Sequence, residues 1–176
     1  MARGQVTVDA RGLVVRSRTG RRLSHALPEL AGLVDALGGR SVVLDGELVA
    51  GAGAARDFYA LGPRMARRAG SGGCRVSFVA FDVLWLDGRN VCALPYLERR
   101  ALLEELGLAG ECWSTSTVFD CAPEVLLAEC AERGLDGVVV KHPRGRYRPG
   151  ARSWDWVKVK TSKWRAEHAS RRHDVA

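Results

Sequence analysis

The sequence predicts a mixed α/β domain of the α+β kind, organised around antiparallel strand hairpins. Three observations lead there. Short runs dense in Val, Leu and aromatic residues recur along the chain, helical stripes separate only some of them, and several neighbouring runs are parted by a turn alone. A regular βαβ alternation would place a helix after every strand, and this chain does not. Its 176 residues are enough for one well-buried core but not comfortably for two.

In order, residues 5–10 and 12–17 alternate around Arg11-Gly12 and predict a hairpin. Leu27, Leu30, Leu33, Val34 and Leu37 form a helical stripe that stops at Gly38-Gly39. Residues 41–50 read as a strand. Asp57 is placed to cap a helix through Leu61 and Met65, and the glycine-rich stretch 70–73 reads as a loop. Residues 75–86, dense in Val and aromatics, predict the strongest strand, ended by an Asp87-Gly88 turn. Helices are expected over 97–106 and 124–133, closed by Gly107 and Gly134. Further strands are expected over 113–119, 138–141 and 156–160. The stretch 161–176 loses the apolar period and reads as a frayed basic tail, which leaves 1–160 as the domain.

Composition bounds the function. The longest apolar runs, 42–44 and 78–81, are far too short to cross a bilayer, and the N-terminus lacks a signal-peptide core, so a cytoplasmic location is expected. A formal charge of +7 suggests an anionic partner such as nucleic acid. Almost all of that charge is arginine, because Lys141, Lys158, Lys160 and Lys163 are the four lysines. The five cysteines show no zinc spacing, and their odd number favours reduced thiols. No GxxxxGK[ST] or GxGxxG loop and no Ser/His/Asp signature is present.

Five segments remain as candidates for chemistry. Arg18, in Ser17-Arg18-Thr19-Gly20, is either a solvated charge or a fork aimed at ribose or phosphate. Glu47, in Leu44-Asp45-Gly46-Glu47-Leu48, falls in a run that should be buried. It therefore needs an arginine partner, or it faces a cleft and holds a ribose hydroxyl or a metal. In Phe78–Leu84, strict alternation sends Phe81 and Asp82 to opposite faces, and an aromatic face at a cleft suits a nucleobase. Asp136, before Gly137 and an apolar strand, is either a turn acid or a Mg²⁺ ligand beside a glycine that admits the ligand. In Trp156-Val157-Lys158-Val159-Lys160 both lysines share one face and repel unless an anion, such as a phosphate, lies between them. A solvent-exposed edge strand carries the same pattern.

In this order, and with the Tyr147-Arg148-Pro149-Gly150 loop before the last strand, the segments resemble the covalent nucleotidyltransferase superfamily, most closely the ATP-dependent DNA ligases of bacterial repair type. The resemblance runs from about Val6 to Lys160. It implies the antiparallel-sheet, ATP-grasp-like nucleotidyltransferase fold shared with mRNA capping enzymes. It implies ATP and Mg²⁺ as cofactors and nicked double-stranded DNA as substrate, with no membrane partner. By the same resemblance Arg18 contacts ribose, Glu47 contacts ribose or metal, and Phe81 stacks on adenine. Asp136 stands at a metal-binding glutamate position, and Lys158 and Lys160 contact the α-phosphate and assist its transfer. In such enzymes a KxDG lysine takes AMP from ATP, AMP passes to the 5′-phosphate of a nick, and a 3′-hydroxyl displaces it. That lysine lies just upstream of the first hairpin, and no lysine precedes Lys141 here. The expectation is thus a ligase fragment without the nucleophile and without the following OB-fold, inactive in self-adenylation unless a complementary polypeptide supplies the missing lysine. The alternatives are a non-catalytic module that binds nucleotide or DNA, and an RNA ligase or capping-type enzyme.

Overall fold

The computed structural model describes residues 2–51, 61–62 and 75–169. Its larger sheet holds β1 (Ala2–Asp9), β2 (Gly12–Ser17), β3 (Val42–Ala50), β4 (Val76–Leu86) and β5 (Arg89–Asn90) in the antiparallel order β2-β1-β3-β4-β5. A short strand, β6 (Trp113–Thr115), runs parallel beside β4. A second, two-stranded sheet pairs β7 (Gly137–Lys141) with β8 (Trp156–Lys160). The helices are α1 (Leu33–Ala36), α2 (Tyr96–Glu105), α3 (Pro123–Glu132) and α4 (Ser162–Ala169). The α+β class and the antiparallel hairpins are as the sequence predicts. Among the described residues no helix is long and apolar enough to cross a membrane.

Alternation builds the core. Val6, Val8, Leu44, Leu48, Phe78 and Ala80 present one sheet face, which Leu23, Leu27, Leu30 and Leu33 cover, all of them buried. Each such side chain contributes roughly 2 kcal/mol by leaving water. Gly46 belongs to this face because a Cβ there would collide with the Phe78 ring and the Val79 carbonyl.

Three elements differ from expectation. The stripe 27–37 is buried as foreseen at its leucines, but the backbone breaks into 3₁₀ turns, Ser24–Ala26 and Pro28–Leu30, before the single turn of α1. Pro28 forces this, since the residue before a proline is driven from the helical region, and Leu27 has φ −130° and ψ 54°. The strand expected over 113–119 stops at Thr115, because Arg100 takes the Ser116 carbonyl and hydroxyl at 2.7 and 3.2 Å. The tail expected to fray at 161 instead folds into α4. Its stability comes from a cap and a ring pair rather than an apolar stripe: the Thr161 hydroxyl accepts the Trp164 N–H, and Trp164 stacks on His168 at 4.1 Å. Residues 170–176 of that tail lie outside the described residues, as do Asp57, Met65 and the 70–73 loop, while Leu61 is buried in the core.

The sheet has one electrostatic centre. Register shifts between β3 and β4 set Gly46 opposite Ala80 and Asp45 opposite Asp82, leaving Phe81 as the extra residue of a bulge. Strict alternation therefore fails at this point, and Asp82 joins Asp45 on the face away from the leucine layer. Asp82 is fully buried and is held by the equally buried Arg99 of α2 through two hydrogen bonds, 2.8 and 2.9 Å. Arg99 also donates to the carbonyls of Leu94 and Gly145, at 2.6 and 3.1 Å. Removing one partner of such a pair strands a buried charge. Arg99→Met is expected to lower unfolding free energy in urea by about 3–5 kcal/mol. The double variant Asp82→Leu/Arg99→Met should regain a measurable part of the loss, and a double variant no better than the single would refute this account.

Candidate functional site

The face of the sheet that carries Asp45 and Asp82 meets the cleft face of β7–β8. Alternation puts Val139 and Lys141 of β7 on that face together with Trp156, Lys158 and Lys160 of β8. Trp156 stands edge-on to Phe81, with ring centroids 5.9 Å apart. The aromatic of β4 and the lysine pair of β8 thus lie on the same side of the molecule.

The two lysines have an anion between them, and it belongs to the chain. Asp136 accepts a hydrogen bond from Lys160 at 2.8 Å and lies 3.7 Å from Lys158. Asp136 directly precedes Gly137, which the β7–β8 register sets opposite Lys160, and so lies at the end of the lysine strand. The hydrogen bond from Lys160, helped by the charge of Lys158, holds the Asp136 carboxyl below the usual carboxylate range. Gly137 serves the strand pair rather than a ligand, since a Cβ there would strike the Val159 carbonyl and its φ is +146°. Glu47 accepts no hydrogen bond from a described residue. Burial pushes its carboxyl up from the ordinary value, against the pull of Lys158 and Arg3.

Glu47, Asp136, Lys158 and Lys160 are therefore brought together by ion pairs or electrostatic coupling, and Phe81 is linked to β8 through Trp156. Arg18 is not. It is exposed just beyond the edge strand β2, which β1 separates from β3, and it touches none of the others. Among the described residues no group of three or more His, Cys, Asp and Glu could hold a metal ion. Glu47 and Asp136, both coupled to Lys158, supply two carboxylates, a set that suits Mg²⁺ when substrate phosphates complete the shell.

The floor of the cleft was missed by reasoning from sequence. Arg3 clamps Asp45 with bonds of 3.1 and 2.6 Å, and Tyr147 donates its hydroxyl to the same carboxylate at 2.8 Å. Burial first, and then Asp45, pushes the pKa of the Tyr147 hydroxyl up, which keeps it protonated and a donor. Tyr147 also meets Trp156 edge-on at 5.5 Å. Lys141 lies 4.1 Å from the Trp156 ring and 4.6 Å from both the Phe81 and Tyr96 rings, and it donates to the Phe81 carbonyl at 3.1 Å. Burial depresses its ammonium from 10.5 to about 8, while Asp82 and Asp45 oppose the shift. The only sequence signal for this lysine was its position at the end of an apolar strand.

The ATP dependent DNA ligase domain model matches residues 2–160. The chain is 36% identical over 155 residues to the multifunctional non-homologous end joining protein LigD of Mycolicibacterium smegmatis, covering 88% of this chain and 20% of that protein. It is 34% identical to a probable DNA ligase of Streptomyces avermitilis, covering 90% of this chain and 33% of the other. Among solved structures, a mycobacterial DNA ligase D complexed with ATP and MES superposes with a TM-score of 0.73 at 33% identity, over 90% of this chain and 51% of that one. The chain thus spans a fifth to a third of these curated relatives.

The Lys141 cage gives a pH signature. Below about pH 8 the ammonium is charged in the folded and unfolded chains alike, and the fold carries the full penalty of burying it. Between about 8 and 10.5 the unfolded chain holds a proton that the folded chain has released, so stability rises with pH. The wild-type minus Lys141→Met difference in urea unfolding free energy should climb across that window by about 3 kcal/mol. A flat difference would remove the buried-amine assignment.

Proposed function

The chain belongs to the ATP-dependent DNA ligase domain family, and from that premise we propose that it carries the adenine-nucleotide cleft of a DNA ligase acting on nicked duplex DNA. The observation that supports this most directly is the shared face of β8, where Trp156 touches Phe81 while Lys158 and Lys160 continue along the same side. In this reading adenine stacks on Phe81 beside the half-exposed Val139, and Glu47 meets the ribose. The phosphates reach the two lysines by displacing Asp136, whose carboxylate already marks where negative charge is stabilised. Arg18 joins the nucleotide only by reaching in from the strand edge.

Mg²⁺, where bound, would be held by Asp136 and Glu47 with the nucleotide phosphates, and it would neutralise charge on the phosphoryl group. The protein's own contribution is to position the nucleotide and stabilise that charge. It does not supply a free nucleophile among Lys141, Lys158 and Lys160, and Lys163 is exposed on α4 beyond β8. Lys141 is enclosed by three rings, and Lys158 and Lys160 serve the charge of Asp136 or of the phosphates that displace it. In-line attack needs an amine poised at the α-phosphorus, which charge stabilisation cannot replace.

Three outcomes follow for the 176-residue polypeptide. Calorimetric titration should show ATP binding, weakened about tenfold or more by Phe81→Ala. Lys158→Gln/Lys160→Gln should erase the preference for ATP over adenosine. Incubation with α-labelled ATP and Mg²⁺ should leave no adduct that survives denaturing electrophoresis. Absence of ATP binding would sink the cleft assignment, whereas a stable adduct would overturn only the claim that the lysines are committed.

A further inference from the structure

The connection between β7 and β8, residues 142–155, has four arginines, Arg144, Arg146, Arg148 and Arg152, and all four are exposed. None of these guanidinium groups makes a hydrogen bond or ion pair with a described residue. Elsewhere the arginines Arg3, Arg40, Arg75, Arg99, Arg100 and Arg133 each meet a carboxylate. The loop also carries Trp154, 93% exposed, the most exposed large apolar side chain described.

The first half of the loop, beneath Arg144 and Arg146, is pinned to the body of the protein, and the loop is closed at its base. The His142 N–H donates to the Asp155 carbonyl at 2.7 Å and closes the loop, while Gly145 N–H donates back to His142 at 2.9 Å. The Tyr147 N–H reaches Cys92 at 2.9 Å, and Leu97 N–H reaches Pro143 at 3.1 Å. The buried Arg99 holds the Gly145 carbonyl, and Tyr147 is anchored on Asp45. Four unpaired cations on a loop pinned at its base and along its first half form a partly pre-organised anion surface, because less loop entropy is lost on binding. Arginine also suits phosphate by its bidentate fork.

We propose that this loop is a DNA-gripping surface: its arginines bind backbone phosphates, and Trp154 stacks on a base exposed where a strand is broken. The proposal rests on the ligase reading above. A duplex hides the faces of its bases inside the stack, and a break is where one is uncovered at least expense. An exposed indole among arginines is the side-chain set that combines backbone attraction with base stacking. It also answers the chain's charge, since the loop has four arginines against the single acid Asp155.

The test is fluorescence anisotropy of labelled nicked and intact duplexes with the full chain, from low to physiological salt. Changing all four arginines to Gln should weaken binding to both duplexes at least tenfold and reduce the slope of log K against log salt by about 3–4. The matching Arg→Lys set should restore the slope. Arg11→Gln/Arg89→Gln, exposed arginines on other turns, should leave most of it intact. Trp154→Ala should keep the slope and abolish the several-fold preference for nicked over intact DNA. An unchanged slope in the Gln set would overturn the proposal, as would an unchanged nick preference in Trp154→Ala. Polyglutamate competing as well as DNA of equal charge would reduce the loop to a general anion patch and equally overturn it. If ATP titration still succeeds, any of these failures leaves the nucleotide cleft standing. Loss of both ATP and DNA binding in the wild-type chain would remove the ligase reading itself.

Discussion

The buried pairing of Asp82 with Arg99 is the constraint on which the rest of the molecule depends. A carboxylate fully removed from water must have its charge met and its lone pairs filled, and Arg99 does both with a bidentate fork. Its remaining donors reach the Leu94 and Gly145 carbonyls, so one guanidinium joins the large sheet, the start of α2 and the loop that leads into β8. Through Gly145 the same side chain ties the connection between β7 and β8 to the large sheet. Asp45, directly opposite Asp82, would add a second buried negative charge. Arg3 neutralises it and Tyr147 fills a further lone pair, which lets two carboxylates lie side by side.

The same logic governs the lysine pair at lower stakes. Lys158 is half exposed and Asp136 nearly so, which means water shares the load and the ion pairs contribute little to stability. Weak pairing is useful in a cleft. A carboxylate that adds little to the fold can yield its place to a phosphate with modest loss, whereas Asp82 could not. In and around the site charges are separated by depth: the Asp82–Arg99 pair is buried and bidentate, and the pair suited to ligand exchange is wet and monodentate.

What the sequence made legible was local. The period-two pattern of β8 placed Lys158 and Lys160 on one face, and the leucines of 27–37 were buried although Pro28 broke their helix. The anion demanded between the lysines was also foreseeable, but its identity was not, since only the β7–β8 register puts Asp136 there. The cleft floor was illegible because its partners are far apart in sequence: Arg3 and Asp45 by 42 residues, Asp45 and Tyr147 by 102. Phe81 and Asp82 were assigned to opposite faces by alternation, and a bulge cancelled it. The helix after Lys160 escaped notice because a threonine cap and a stacked ring pair leave no apolar period to read.

The bulge is more than a failure of pattern. With Phe81 as the extra residue, the chain turns Asp82 toward Arg99 without withdrawing the aromatic from the cleft. A regular strand would have had to choose between a ring at the surface of the site and a carboxylate anchoring the helix behind it. Lys141 then holds the Phe81 segment from the other side, through the carbonyl and the ring face at once. A stacking platform must not swing when its base leaves. Two contacts from one buried amine fix both the backbone and the ring of Phe81, so its orientation is set before any nucleotide arrives.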